Sequence, residues 1–361
     1  SKNNLFNRCY CEVKFDSRDV KRGDAFIALN GAVNDGHNFL VDVLEKGASI
    51  LFIGNRELYR LKEINRDLLH ERIIFLVEDT LEALKLLART WRDRFNYPVV
   101  GITGSIGKTT TKEILRNILK KTNVPAFVSH KNQNTDIGLS VNILRMCDEH
   151  KVAVFELGIN DKGEMTVLAD ILRPSMALIT TISHSHVKGL GGLKGIAEEK
   201  SKIFSKFSAN NIGFICGDIP VLADLSFSHP VVKFGQRIKN HVHARQVRTE
   251  VVDGEKVTSF KLKMYGEAQR IFLKTNHFGF INNAVAACAI SHFLNISFET
   301  MVDGIESFEP VDSRFEKISM SSRDGFVISD CYNASPESMK AAILAFNEMP
   351  VEGFKVAILG D

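Results

Sequence analysis

Residues 101–111 read Gly-Ile-Thr-Gly-Ser-Ile-Gly-Lys-Thr-Thr-Thr, and their types and spacing suit one chemistry, the grip of a polyphosphate. A glycine-rich turn lets successive backbone N–H groups face phosphate oxygens. A following helix adds the positive end of its dipole, and Lys108 adds a full charge. Thr109 is then placed to offer its hydroxyl to a Mg2+ bridging the terminal phosphates. The apolar run Pro98-Val99-Val100 predicts a strand before the turn, and Lys112 to Leu119 has the apolar spacing of a helix. The match to G-x-x-x-x-G-K-[ST] is imperfect, because Ile102 stands where the first glycine belongs and Gly104 lies inside the loop. A Gly-Lys-Thr triplet alone also occurs in ordinary turns. The flanking strand and helix carry the assignment.

Further groups join the loop. Val152 to Gly158 predicts a strand with a carboxylate, Glu156, at its C-terminal end, the edge at which open α/β sheets bind ligands. Glu156 could serve there as a hard oxygen ligand for Mg2+; an acid ending a strand can equally be a cap or an ion-pair partner. His184-x-His186 follows the predicted strand near 177–182, without Cys or acidic partners at zinc-ligand spacing. Lys200 belongs to a mixed-charge stretch from Lys188 to Lys206, which reads as a solvated helix face.

These groups need a scaffold. Strands near 98–102, 152–157, 177–182 and 213–216 alternate with helices, which predicts a mostly parallel sheet covered on both faces. Residues 1–97 read as a smaller α/β unit with strands at Asp24–Leu29 and Ser49–Gly54, a helix at Phe39–Gly47 and a long helix over about 80–96 that holds Trp91. Val247 to Val257 reads as a hairpin, followed by alternation over Phe260–Met264, and Asn282 to Leu294 as a small-residue helix. Val356 to Leu359 reads as a buried strand reaching a glycine turn, so the domain that begins near residue 312 is expected to be only partly present.

Bulk composition excludes several classes. With 361 residues, 44% apolar and 25% charged, the chain suits a globular protein of two or three domains. A net charge of +3 from 46 basic and 43 acidic side chains implies no nucleic-acid or membrane field. Six scattered cysteines without metal spacing suit reduced thiols in a cytoplasmic protein. No apolar run approaches the ~20 residues that span a bilayer, so no membrane insertion is expected.

Taken in order, the motifs resemble those of the Mur ligases, ATP-dependent enzymes of bacterial peptidoglycan precursor synthesis and so of cell-wall biogenesis. Thr103-Gly104-Ser105-x-Gly107-Lys108-Thr109-Thr110 resembles the family's ATP loop, and Asn134 in Asn132 to Gly138 its Asn-x-x-Ile-Gly stretch. Glu156-Leu157-Gly158 is similar to the magnesium-binding Glu, and His186 to the histidine before Gly-x-x-x-x-Ile-Ala-x-x-Lys. Lys200 falls where the family carries a carbamylated lysine, a change that turns a cation repelling Mg2+ into an anionic oxygen ligand. Asn283-Ala284-x-Ala286-Ala287 resembles the adenine-contacting segment, although Gly279-Phe280 replaces the usual His-Asn. Arg314-Phe315-Glu316 resembles the hinge to the C-terminal domain. Asp330-Cys331-Tyr332-Asn333-Ala334-Ser335-Pro336 resembles the signature of the member that adds D-alanyl-D-alanine, with Cys331 and Ser335 as departures. Asp16-Ser17-Arg18, with Asp35-Gly36-His37, resembles the UDP-recognition domain.

The resemblance implies three domains: residues 1–97 binding the UDP substrate, 98–311 binding ATP, and 312–361 beginning a Rossmann-like ligase domain. It implies a monomer that couples UDP-N-acetylmuramoyl tripeptide to D-Ala-D-Ala through an acyl phosphate. Lys108, Glu156, His186 and Lys200 would be catalytic, and Thr109, Glu156, His186 and carbamylated Lys200 would ligate Mg2+. Thr103 to Thr110, Asn283, Arg314 and Asp330 would hold ATP; Asp16, Ser17, Arg18, Asn134, Tyr332 and Asn333 would hold substrate. No residue is assigned as base for the attacking amine. A family member adding the third amino acid is the alternative. A phosphate-loop kinase or regulatory NTPase, or a purely structural binding protein, is the reading from another class.

Overall fold

The computed structural model describes residues 12–31, 34–130, 133–183, 190–252, 255–310, 313–320, 325–349, 351 and 353–360. They form two compact units, one from Ser1–Asn96 with His130–Asp148 and one from Tyr97–Ser129 with Glu149–Asp361.

The first unit holds a four-stranded parallel sheet, β1 (Val13–Lys14), β2 (Ala25–Ile27), β3 (Ile50–Gly54) and β4 (Ile73–Val77), in that spatial order. Alternation along β3 sends Leu51 and Ile53 into a core with Phe26, Leu40, Val43 and Leu44. On a separate core cluster Ile27 meets Leu84 of the helix Thr80–Arg92 and Val141 of the helix Asp136–Ile143. That contact explains why 130–148, expected within the central domain, packs in the first unit: burying Val141 needs the apolar face around Ile27. The long helix ends at Arg92 rather than near residue 96, where Asp93 takes over as its C-terminal cap.

The second unit is built on β5 (Val99–Thr103), β6 (Ala126–Val128), β7 (Val152–Glu156), β8 (Met176–Ile179), β9 (Ile212–Cys216), β10 (Val231–Gly235), β11 (Val242–Val252), β12 (Glu255–Met264) and β13 (Glu267–Leu273). Their spatial order is β13-β12-β11-β10-β9-β8-β5-β7-β6. Pairing is parallel from β6 across to β11 and antiparallel from β11 to β13. Chain order reverses at β5, which lies between β7 and β8; such a reversal opens a crevice at the carboxyl ends of the strands. β5 and β7 are buried along their whole length, as expected of strands covered on both faces. The hairpin starts earlier than its apolar pattern suggested, at Val242, and the alternating Phe260–Met264 belongs to its second strand.

The helix Lys108–Lys120 buries Ile114, Leu115, Ile118 and Leu119. Against it pack the helix Gly279–Phe293, whose alanines are buried all round, and the helix Phe298–Glu306. Gly304 permits the second approach, since a Cβ there would press on the Ile118 backbone. β14 (Glu316–Ser319) and β15 (Phe326–Ser329) form a separate hairpin, followed by the helix Pro336–Glu348 with a Ser335–Ser338 capping box. One strand expectation fails: residues 354–360 pair with no strand among the described residues, and Phe354 and Ile358 are almost wholly exposed. Their apolar run has the composition of a strand, but no described neighbour supplies ladder hydrogen bonds or a covering layer.

Candidate active site

Three loops at the carboxyl edge of β5, β7 and β8 converge, and strand register sets where. Ile102 lies opposite Glu156 and Thr103 opposite Ile179, so the glycine turn emerges between Glu156 and Thr180. The turn is tied to its neighbour by Ser105 N–H to Thr181 O (2.8 Å), the Thr180 hydroxyl to Ile106 O (2.6 Å) and Ser183 N–H to Ser105 Oγ (3.1 Å). Gly104 (φ +148) and Gly107 (φ +87) take backbone angles that other residues avoid. A Cβ on the first would overlap the Thr180 hydroxyl, and on the second the Asn283 amide oxygen. Gly107 also starts the helix Lys108–Lys120 without any side-chain cap, which leaves the positive helix end for an anion.

Charges gather around this turn. The Lys108 ammonium folds back to donate to Gly104 O at 3.0 Å. Packing around it pushes its pKa down, opposed by the charge of Glu156 and aided by that of Arg314. The buried Glu156 carboxylate accepts the Thr109 hydroxyl at 2.8 Å, and Lys112 Nζ lies 3.6 Å from the same oxygen, Oε2. Arg314 Nη2 donates to Thr109 Oγ1 at 2.9 Å, while its guanidinium sits 4.0 Å from the centre of the Tyr332 ring. Ser313 and Phe315, on either side of Arg314, both have positive φ (56° and 57°). Arg314, the expected hinge residue, is thus carried on a strained turn, a costly arrangement that collects at functional positions. The Thr103 hydroxyl, at the base of the turn, is buried with no hydrogen-bond partner among the described residues.

Lys200 overturns its reading as a solvated face. Only 4% of it is exposed, and its helical neighbour Glu199 is buried as well. The helix Gly192–Ser201 buries both together with Ile196 and Ala197, and Glu199 accepts Gly163 N–H at 2.8 Å. Burial first and the Lys108 charge second lower the Lys200 pKa to about 7, against the opposing pull of Glu199.

The remaining expected residues fall in several places. Thr110 is buried on the helix behind the turn, and Asn283 Oδ1 accepts the Thr111 hydroxyl at 3.3 Å. Asp330 accepts Phe315 N–H at 3.0 Å, and desolvation raises its carboxyl pKa against that hydrogen bond and the Arg314 charge. Asn333 is exposed. Asp16, Ser17, Arg18 and Asn134 belong to the first unit. Asp16 caps the short turn Ser17–Asp19 and pairs with the outward-facing Arg18, while Ser17 O accepts Lys46 Nζ at 2.9 Å. His184 and His186 lie outside the described residues. Sequence reasoning passed over Lys112 because it sits in an unremarkable helical run; its spacing of four from Lys108, which puts both on one helix face, was the available signal.

A glycine turn, lysine and threonine delivered by an interior strand of the parallel part of the sheet onto an uncapped helix define a phosphate-loop α/β protein. Residues 102–291 match the Mur ligase middle domain, and residues 10–92 match the Mur ligase family catalytic domain. The chain belongs to the Mur ligase family. It is 34% identical to the UDP-N-acetylmuramoyl-tripeptide--D-alanyl-D-alanine ligase of Rickettsia prowazekii, over 97% of this chain and 75% of that protein. Identity to the ligase of the same name from Treponema pallidum is 35%, over 97% and 73%. Among solved structures, the MurF ligase of Thermotoga maritima in complex with ADP superposes with a TM-score of 0.80 at 28% identity, over 96% of this chain and 76% of that one.

Proposed function

We propose that this protein is an ATP-dependent ligase that joins D-alanyl-D-alanine to a UDP-N-acetylmuramoyl tripeptide. The observation that carries the reading is the cluster at the glycine turn in which the half-buried Lys108 meets the buried Thr109, Glu156 and Lys200. Chain-long similarity to relatives bearing that ligase's name favours it over the member adding the third amino acid, and over a kinase or regulatory NTPase.

The chemistry follows from charge. A peptide carboxylate must attack the γ-phosphate of ATP, so two anions approach each other. Lys108, held over the turn, and the uncapped helix end lower that repulsion. The carboxylate oxygen bonds to phosphorus, ADP leaves, and an acyl phosphate results. The dipeptide amine then attacks the acyl carbon, loses a proton and expels phosphate.

The donor set fits Mg2+. The Thr109 O–H is spent on Glu156 and one lone pair accepts Arg314, so one lone pair remains for a hard cation. Among the described residues no three His, Cys, Asp or Glu side chains gather, which suits an ion held by one or two protein oxygens plus phosphates and water. Thr109 and Glu156 would hold it, with His186 and a carbamate on Lys200 as candidates for a second ion. Bound there, Mg2+ would neutralise phosphate charge. A lysine with pKa near 7 suits carbamylation, because only the neutral amine attacks CO2.

Asp330 is assigned to the ATP ribose, Thr103 to Thr110, Asn283 and Arg314 to the nucleotide, and Asp16, Ser17, Arg18, Asn134, Tyr332 and Asn333 to substrate. The reading takes residues 1–97, 98–311 and 312–361 as three functional domains of a monomer acting in the cytoplasm, where ATP is supplied; among the described residues no helix is long and apolar enough to cross a membrane. The test is phosphate release from ATP with each substrate omitted in turn. Release should require the UDP-muramoyl tripeptide and rise with D-Ala-D-Ala. Release indifferent to both would contradict ligation.

A further inference from the structure

We infer that Lys112 is a positioning residue that clamps the Glu156 carboxylate for the metal, a role that rests on the nucleotide–Mg2+ reading of the site. Lys112 is completely buried, a rare state for lysine unless it is paired. Its ammonium lies 3.6 Å from Glu156 Oε2 and 3.5 Å from Glu113 Oε1. Thr109, three residues earlier on the same helix, donates to the same Oε2 at 2.8 Å. One helix face therefore meets one oxygen of the carboxylate with a hydrogen bond from Thr109 and the nearby charge of Lys112.

Stability alone does not call for such a lysine. A buried ion pair loses most of its attraction to desolvation, and an apolar pair of similar volume often serves as well. Glu156, however, must keep a negative charge where an ion is to bind, and a buried carboxylate needs a counterion. Lys108 is another cation coupled to the charge of Glu156, while Arg314 is held off it by the Thr109 hydroxyl. If Lys108 filled that need, the ammonium that faces phosphate would be withdrawn from it. Lys112, fixed one turn further along the helix, satisfies Glu156 and leaves Lys108 for the nucleotide. Glu113, which also meets Arg116 at 3.3 Å, holds Lys112 from the opposite side.

Calorimetric titration of ADP into the protein over a range of Mg2+ concentrations separates this role from a merely structural one. Lys112→Met should raise the Mg2+ concentration for half-maximal ADP binding about tenfold, the size expected when an outer partner of a metal ligand is lost. Lys112→Arg, which keeps a cation there, should stay within about threefold of wild type on the same scale. A Lys112→Met protein with the wild-type Mg2+ midpoint and only a lowered Tm would overturn the assignment. Should that variant not fold, Lys112→Gln, which keeps a polar donor but removes the charge, decides: a charge clamp on Glu156 predicts the same rise of about tenfold, and a wild-type midpoint would overturn it. Wild-type protein whose ADP binding ignores Mg2+ would instead contradict the proposed site itself.

Discussion

Two charged clusters of this protein, Asp16–Arg18 in the first unit and Lys108–Glu156–Lys200 in the second, use the same side-chain types to opposite ends. Arg18 is 85% exposed and pairs with a carboxylate two residues away, so water screens the pair and it holds little of the fold together. Its partner Asp16 is nonetheless pulled down to about pH 2, first by the hydrogen bond from Arg18. In the second cluster Glu156 and Lys200 are buried and Lys108 half-buried, and charges far apart in sequence act on the two lysines. The first pair is tuned mainly between sequence neighbours, whereas the second cluster is tuned by groups the fold brings together.

Lys108→Ala tests the buried side of that contrast most severely. It should cut turnover by about 10³-fold, as when a preorganised group facing developing charge is removed; near-normal turnover would erase the contrast. Lys200→Ala should cost about 10²-fold, on the scale of removing a metal's supporting ligand, with partial recovery on adding short carboxylic acids. Lack of recovery would count against the carbamate. Gly104→Ala should destabilise the second unit by about 2 kcal/mol, through the forbidden backbone angle and the collision with Thr180; an unchanged Tm would mean the turn relaxes freely. Arg18→Ala should be mildest. It should leave Tm unaltered, raise KM for the UDP substrate without changing kcat, and let the Asp16 midpoint climb from about 2 towards 3.8, read by NMR. Because that carboxyl is depressed in the fold, its small stabilisation is present above pH 3.8 and fades as pH falls through 2. A midpoint that stays near 2 without Arg18 would show another cause.

The same contrast explains what could be read from the chain beforehand. The turn at Gly104–Lys108 is legible because glycine, lysine and threonine each answer a local demand, and the strands around it announce themselves by buried apolar runs. Glu156 is legible as an acid ending such a strand. Burial of Lys200 is not, since its helix shows mixed charge and the groups that cover it and its neighbour Glu199, such as Gly163, are distant in sequence. The pairing of Arg314 with Thr109 spans 205 positions, a distance that no local pattern encodes. Nor does local pattern place 130–148 in the first unit, where the burial of Val141 against Ile27 and Leu84 decides.

The central claim, that ATP held over Lys108 activates a peptide carboxylate, is tested most directly by isotope transfer. A UDP-muramoyl tripeptide labelled with 18O in its terminal carboxylate should, on turnover with ATP and D-Ala-D-Ala, deliver one labelled oxygen to the released phosphate. Phosphate formed without label, while the amide product accumulates, would contradict the acyl phosphate route.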